Sequence, residues 1–177
     1  MAVIKIRNTN EVIQGTEEVK AFLESQEVLY EKWDMSKLPD HLKERFDLSD
    51  EDKQEILNSF DDDIRSLGER RGYVNWDVIS LSESTPNLEE LLKKFENVHT
   101  HTDDEVRAIT AGHGIFIVKG ENGYFDIELE AGDVISVPEY TPHFFTLMDD
   151  RQVVAVRLFI DTEGWVAHPY EEKEYKL

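Results

Sequence analysis

Apolar and polar positions alternate from Ala2 to Arg7, which predicts an opening strand, and the period then lengthens. Thr16 to Ser25 reads as a short helix with Thr16 as its candidate cap. Between Leu48 and Leu67 the residues Ile56, Leu57, Phe60, Ile64 and Leu67 recur at helical spacing, behind Ser49 as a capping residue and acidic side chains in the first turn. This predicts one long helix, on which Asp61, Asp62 and Asp63 form a solvated face. Gly72 ends it. The stretch YVNWDVISL then predicts a strand, and Asn87 to Phe95 a short helix after a Ser/Thr/Pro loop.

After Phe95 the period falls to two. Six short segments alternate, Glu105 to Ala111, Gly114 to Val118, Tyr124 to Leu129, Asp133 to Val137, Phe144 to Leu147 and Val153 to Phe159, separated by the turn signals GHG, KGENG, EAGD and DDRQ. Strands at this spacing predict an antiparallel sandwich or barrel. With no internal repeat or linker, the expectation is a single domain over residues 1–177, mainly β with a helical N-terminal elaboration (α+β). Residues 1–70 are the strand and helix elaboration and 71–167 the barrel core. The tail from His168, HPYEEKEYKL, is expected to be loosely held.

Composition narrows the chemistry. The chain has no cysteine, so disulfides, thiolate metal sites and cysteine nucleophiles are excluded, and a metal would be held by histidine and carboxylate. With 39 acidic and 19 basic residues the formal charge is −20, which repels phosphate backbones and anionic lipid. The expected partners therefore include no nucleic acid and no membrane. The N-terminal MAVIKIRNTNEV lacks the apolar core of a secretion signal, and no stretch approaches the ~20 apolar residues that span a bilayer. A soluble, cytoplasmic monomer is expected. No G-x-S-x-G, P-loop or dinucleotide fingerprint occurs.

The segment HTHTDDEVRAITAG, residues 99 to 112, carries the first candidate chemistry. In an extended chain alternate side chains share a face, so His99, His101, Glu105 and Arg107 fall on one side. Two imidazoles and a carboxylate so arranged suit a divalent first-row metal with positions left open. Alone, an H-x-H pair reads more simply as exposed polar residues on a strand. The second segment, GDVISVPEYTPH, changes that reading: a turn glycine precedes a strand, and Pro138 and Pro142 stiffen a corner that can fix His143. His113, on the parity of the ligands but between two glycines in an expected hairpin turn, is left out, as are the solvated His41 and His168.

The two segments together resemble the paired motifs of the cupin superfamily. His99, His101, Glu105 and Gly112 meet the first pattern, and Gly132, Pro138 and His143 the second. Tyr140 stands where glycine is usual and Leu147 where asparagine often closes the motif. The resemblance implies a double-stranded β-helix, the cupin jelly-roll barrel. Over roughly residues 70 to 170 the chain is also similar to the acireductone dioxygenase family of methionine salvage, through FENVHTHTDDEVRAITAGHGIFIV, GDVISVPEYTPHFFTL and RLFIDTEGWVAHP.

That resemblance implies His99, His101, Glu105 and His143 as ligands of one Fe(II) or Ni(II) per chain, with two positions open. It implies as substrates O2 and the acireductone 1,2-dihydroxy-3-keto-5-methylthiopentene. Iron would give 2-keto-4-methylthiobutyrate and formate, and nickel methylthiopropionate, formate and carbon monoxide. Arg107 would stabilise the anionic enediolate, the alternative being a surface pair with Asp103 or Glu105. Phe95 and Phe145 flank ligand positions and either line the pocket for the methylthio end or serve as ordinary core. Two rival functions share the motif: a metal-dependent cupin isomerase, and a non-catalytic cupin that binds a small molecule. The isomerase would need several basic residues for phosphate, whereas the motif region offers chiefly Arg107 and Lys119.

Overall fold

The computed structural model describes residues 2–83, 85–95, 99–100, 105–121, 123–138, 140–159 and 168–169, with the side chains of 94, 95, 99, 100, 105, 168 and 169 outside the description. The described strands are β1 (Val3–Ile6), β2 (Glu11–Ile13), β3 (Leu29–Lys32), β4 (Asn75–Leu81), β5 (His99–Thr100), β6 (Glu105–Gly120), β7 (Gly123–Glu130), β8 (Asp133–Val137), β9 (His143–Leu147), β10 (Val153–Phe159) and β11 (His168–Pro169). The α-helices are α1 (Thr16–Ser25), α2 (Asp50–Ser59), α3 (Asp61–Arg71) and α4 (Leu88–Phe95).

All described pairings are antiparallel and form two sheets that share β6. One sheet runs β11-β5-β9-β6-β7-β1-β2 and the other β4-β10-β6-β8-β3. An apolar cluster lies between them, built from Ile109, Phe116, Val118, Ile127, Ile135 and Val137 among others. A second cluster covers the outer face of the β4–β3 sheet, where Ile56, Phe60, Ile64 and Leu67 from α2 and α3 meet Val106, Ala108, Val134 and Val156. The N-terminal segment thus supplies both helical cover and edge strands: β1 pairs with β7, and β3 with β8. This curled double sheet is the expected barrel.

The single strand β6 replaces the two strands and the GHG turn that the glycines suggested. Gly112 adopts φ +73° without ending the strand, and the β6–β10 register slips so that Val154 faces Ala111 while Ala155 faces Ile109. Thr110 is the extra residue of a bulge. One extra residue inverts the alternation. Ile109 lies in the inner cluster, as do Phe116 and Val118 beyond the bulge. His113 shares the parity of the candidate ligands in sequence, yet its side chain is 46% exposed and lies 2.8 Å from Asp150.

The expected helix over 48–67 is two helices broken at Phe60, whose φ −112° and ψ 21° fit neither. Phe60 is fully buried and stacks on Trp33 with ring centres 5.1 Å apart, so the bend serves the packing. The run Asp61–Asp63 therefore opens a helix, where its charges complement the dipole. Asp63 also pairs with Lys37 at 2.8 Å and Asp61 with Arg65. Ser49 caps α2 in a reciprocal capping box with Asp52, and Gly72 closes α3 in the left-handed region, both as expected. Thr16 is not the cap of α1: Gly15 holds that position at φ 98°, with no side-chain hydrogen bond. Residues 168 and 169, expected to be loose, pair with β5.

Candidate metal centre

His143 begins β9 and is 1% exposed. The turn before it is set by Thr141 N–H donating to the Pro138 carbonyl at 3.2 Å, and by Lys119 N–H donating to the Pro142 carbonyl at 2.9 Å. Tyr140 sits in this turn at φ 60°, in the region that favours glycine. That accounts for glycine being usual there. The nonglycine residue carries about 1 kcal/mol of strain.

The imidazole of His143 lies 2.8 Å from the Thr141 carbonyl through Nδ1. A carbonyl only accepts, so Nδ1 carries a proton and donates; in the neutral ring Nε2 is then the nitrogen with the lone pair. A neutral imidazole held from behind in this way is the form in which histidine ligates a metal. Phe116, fully buried, stands 6.1 Å from the His143 ring and 4.9 Å from the Phe145 ring. Phe145 is half-buried against the inner cluster, on the face of His143.

The neighbouring strand supplies the second position. β5 pairs with β9 through the register His99 opposite His143, and Pro169 of β11 lies opposite His99 on its other side. Opposed residues of an antiparallel pair have Cα atoms about 4.5–5.5 Å apart. Glu105 begins β6 opposite Val137, and Arg107 lies opposite Ile135 on one side and Arg157 on the other. Arg107 is half-buried and donates from Nη1 to the Val106 carbonyl at 3.1 Å.

His101 lies outside the described residues, as do the side chains of His99, Glu105 and Phe95. Phe95 is the last residue of α4, four positions before His99 opens β5. Arg157 and Asp77 are the site-face residues missed in the sequence. Arg157 lies at the spacing of two from Ala155 and Val153 of the inner cluster, so the alternation of VVAVRLF was the signal.

Comparison with known proteins gives this geometry its family. The model of the ARD/ARD' family matches residues 3–167. The chain belongs to that family. The acireductone dioxygenase of Geobacillus thermodenitrificans is 70% identical over 176 residues, 98% of either chain. That of Bacillus subtilis is 54% identical over the same length and coverage. Among solved structures, the acireductone dioxygenase from Bacillus anthracis with a cadmium ion in its active centre superposes with a TM-score of 0.92. It is 57% identical, and the match covers 94% of this chain and 97% of that one. The family's cupin fold is the fold found here.

Proposed function

We propose that His99, His101, Glu105 and His143 hold one Fe(II) or Ni(II) and that Arg107 faces the anionic substrate beside it. The activity itself follows from the family: this is an oxidoreductase of the acireductone dioxygenase type, as are relatives at 54–70% identity. The observation that carries the ligand assignment is the β5–β9 register, which sets His99 opposite a buried His143 whose Nε2 is the lone-pair nitrogen.

The donor set fits such a metal. A cysteine-free chain offers imidazole and carboxylate, which suit Fe and Ni, and the Thr141 carbonyl at Nδ1 of His143 leaves Nε2 as the ligating atom of the neutral ring. A divalent ion there supplies Lewis acidity and a template for a chelating enediolate. The chain's own residues do the rest. Thr141 fixes the ring of His143 through its carbonyl. Arg107 balances the charge of a deprotonated substrate, and Phe145, packed on Phe116, offers an apolar wall to the methylthio end. Phe95, at the end of α4, is assigned to the same wall.

In this reading the products depend on the ion: 2-keto-4-methylthiobutyrate and formate with iron, methylthiopropionate, formate and carbon monoxide with nickel. The chain acts as one domain and as a monomer in the cytoplasm, its net charge of −20 opposing self-association. Among the described residues no helix is long and apolar enough to cross a membrane.

The test is metal analysis of the purified protein, then oxygen uptake and product identification after reconstitution with iron and nickel separately. Glu105→Ala is expected to lose the metal and all turnover, while Arg107→Ala keeps the metal and weakens substrate use. A fully metallated, active Glu105→Ala protein refutes the ligand set. Metal-loaded protein that consumes no oxygen with acireductone refutes the dioxygenase reading and leaves the isomerase or binding module.

A further inference from the structure

Three charged residues stand in one row across the second sheet. Asp77 of β4 pairs with Arg157 of β10, and Arg157 pairs with Arg107 of β6. Two residues along each strand lies an apolar residue of the inner face, Ile79, Ala155 and Ile109 respectively. The row therefore faces the barrel interior. Opposed like charges on an antiparallel pair ordinarily destabilise it. Here Asp77 grips Arg157 at two points, Nε to Oδ1 at 2.8 Å and Nη2 to Oδ2 at 2.6 Å, and the Arg157 side chain is only 17% exposed.

A two-point fork fixes the plane of a guanidinium as well as its charge. Pinned toward β4, Arg157 holds a fixed positive charge at the register position beside Arg107, whose own guanidinium donates from Nη1 to the Val106 carbonyl at 3.1 Å. We infer that Arg157, oriented by Asp77, is a positioning residue: it sets where the Arg107 guanidinium stands and makes this part of the interior selective for an anionic chelating ligand. The inference rests on Arg107 being the cationic contact of the proposed substrate.

The full chain loaded with Ni(II) provides the test, read by steady-state kinetics on acireductone and by calorimetric titration with oxalate, a chelating dianion whose binding needs no turnover. Arg157→Gln is expected to keep its metal, to lower kcat more than it raises KM by about tenfold overall, and to weaken oxalate by a similar factor. Arg157→Lys, which keeps the charge without the planar fork, recovers part of the loss. Asp77→Asn leaves the positive charge and releases the fork, so it falls on the same side as Arg157→Gln. In an Arg107→Ala background Arg157→Gln adds less than about a twofold further loss, because a residue acting through another has nothing left to act on.

Full additivity in that background, wild-type kinetics and oxalate affinity in Arg157→Gln, or losses that track lost metal each overturn the inference. Should Arg157→Gln fail to fold, Arg157→Lys and the near-isosteric Asp77→Asn carry the same comparisons. A wild-type protein that does not turn over acireductone refutes the dioxygenase reading alone, since the oxalate titration still reads the row.

Discussion

The phenol of Tyr30 donates a 2.6 Å hydrogen bond to Oδ1 of Asp133, joining β3 to the start of β8 inside the fold. Asp133 is completely buried, and its other oxygen accepts from the Glu130 amide at 2.9 Å, closing the turn between β7 and β8. This turn leads into the strand and corner that carry His143. Tyr30→Phe removes one donor from a buried carboxyl group, which costs about 2 kcal/mol or more. Urea denaturation should show that loss with an unchanged slope; a loss below a few tenths would mean that water replaces the phenol.

Burial pushes the Asp133 carboxyl above its ordinary value of 3.8, against the opposing hydrogen bond from Tyr30 and the charge of Lys32 at 3.9 Å. A carboxyl whose native pKa is raised binds its proton more tightly folded than unfolded. Its contribution is thus present below the ordinary value and is lost as the pH rises through the native one. The stability of the wild type relative to Asp133→Asn should therefore fall from about pH 3 upward and level off above the native pKa. Parallel curves for the two proteins would show that the charge is not desolvated.

Gly112 is the glycine of the first sequence motif, and its role is steric. At φ +73° a Cβ would lie 2.2 Å from the Gln152 carbonyl oxygen, with the Phe46 ring at 3.0 Å. Backbone cannot move aside cheaply at a bulge that fixes two sheets. Gly112→Ala should cost well above the 1–2 kcal/mol of a left-handed residue alone, and Gly72→Ala, with nothing within 4 Å of its Cβ, about that amount only. Thermal unfolding of the two variants side by side checks the difference; equal midpoints would mean that the chain just before β10 yields at Gln152.

These glycines also mark where the sequence was legible and where it was not. The strands of the barrel core were written in their alternation, and the ends of α2 and α3 in Ser49 and Gly72. Gly112 and Gly114 misled, because a glycine kept for a positive φ in a bulged strand, as Gly112 is, or for the close approach of the Phe145 ring, as Gly114 is, carries the same local signature as one in a turn. The break at Phe60 follows from its packing on Trp33, a residue distant in sequence, and so no helical period could contain it. For the site, the motif spacing named His99 and His143 individually, but their pairing is a product of long-range register. The Asp77–Arg157 pair was hidden because it joins two strands 80 residues apart.

If the four assigned ligands meet around one ion, the native state alone binds it tightly, since the unfolded chain has no register to bring β5 to β9. Ni(II), chosen because it needs no anaerobic handling, should then raise the unfolding midpoint. A ligand at a thousand times its dissociation constant adds about 4 kcal/mol to stability. For a domain of this size each kcal/mol moves the midpoint by roughly 2–4 °C. His143→Ala should abolish the shift, whereas His113→Ala, altering an exposed residue paired with Asp150 across the bulge, should keep it in full. A shift that survives His143→Ala but disappears in His113→Ala would move the metal to the outer face of β6 and overturn the inverted alternation on which the placement of the site depends.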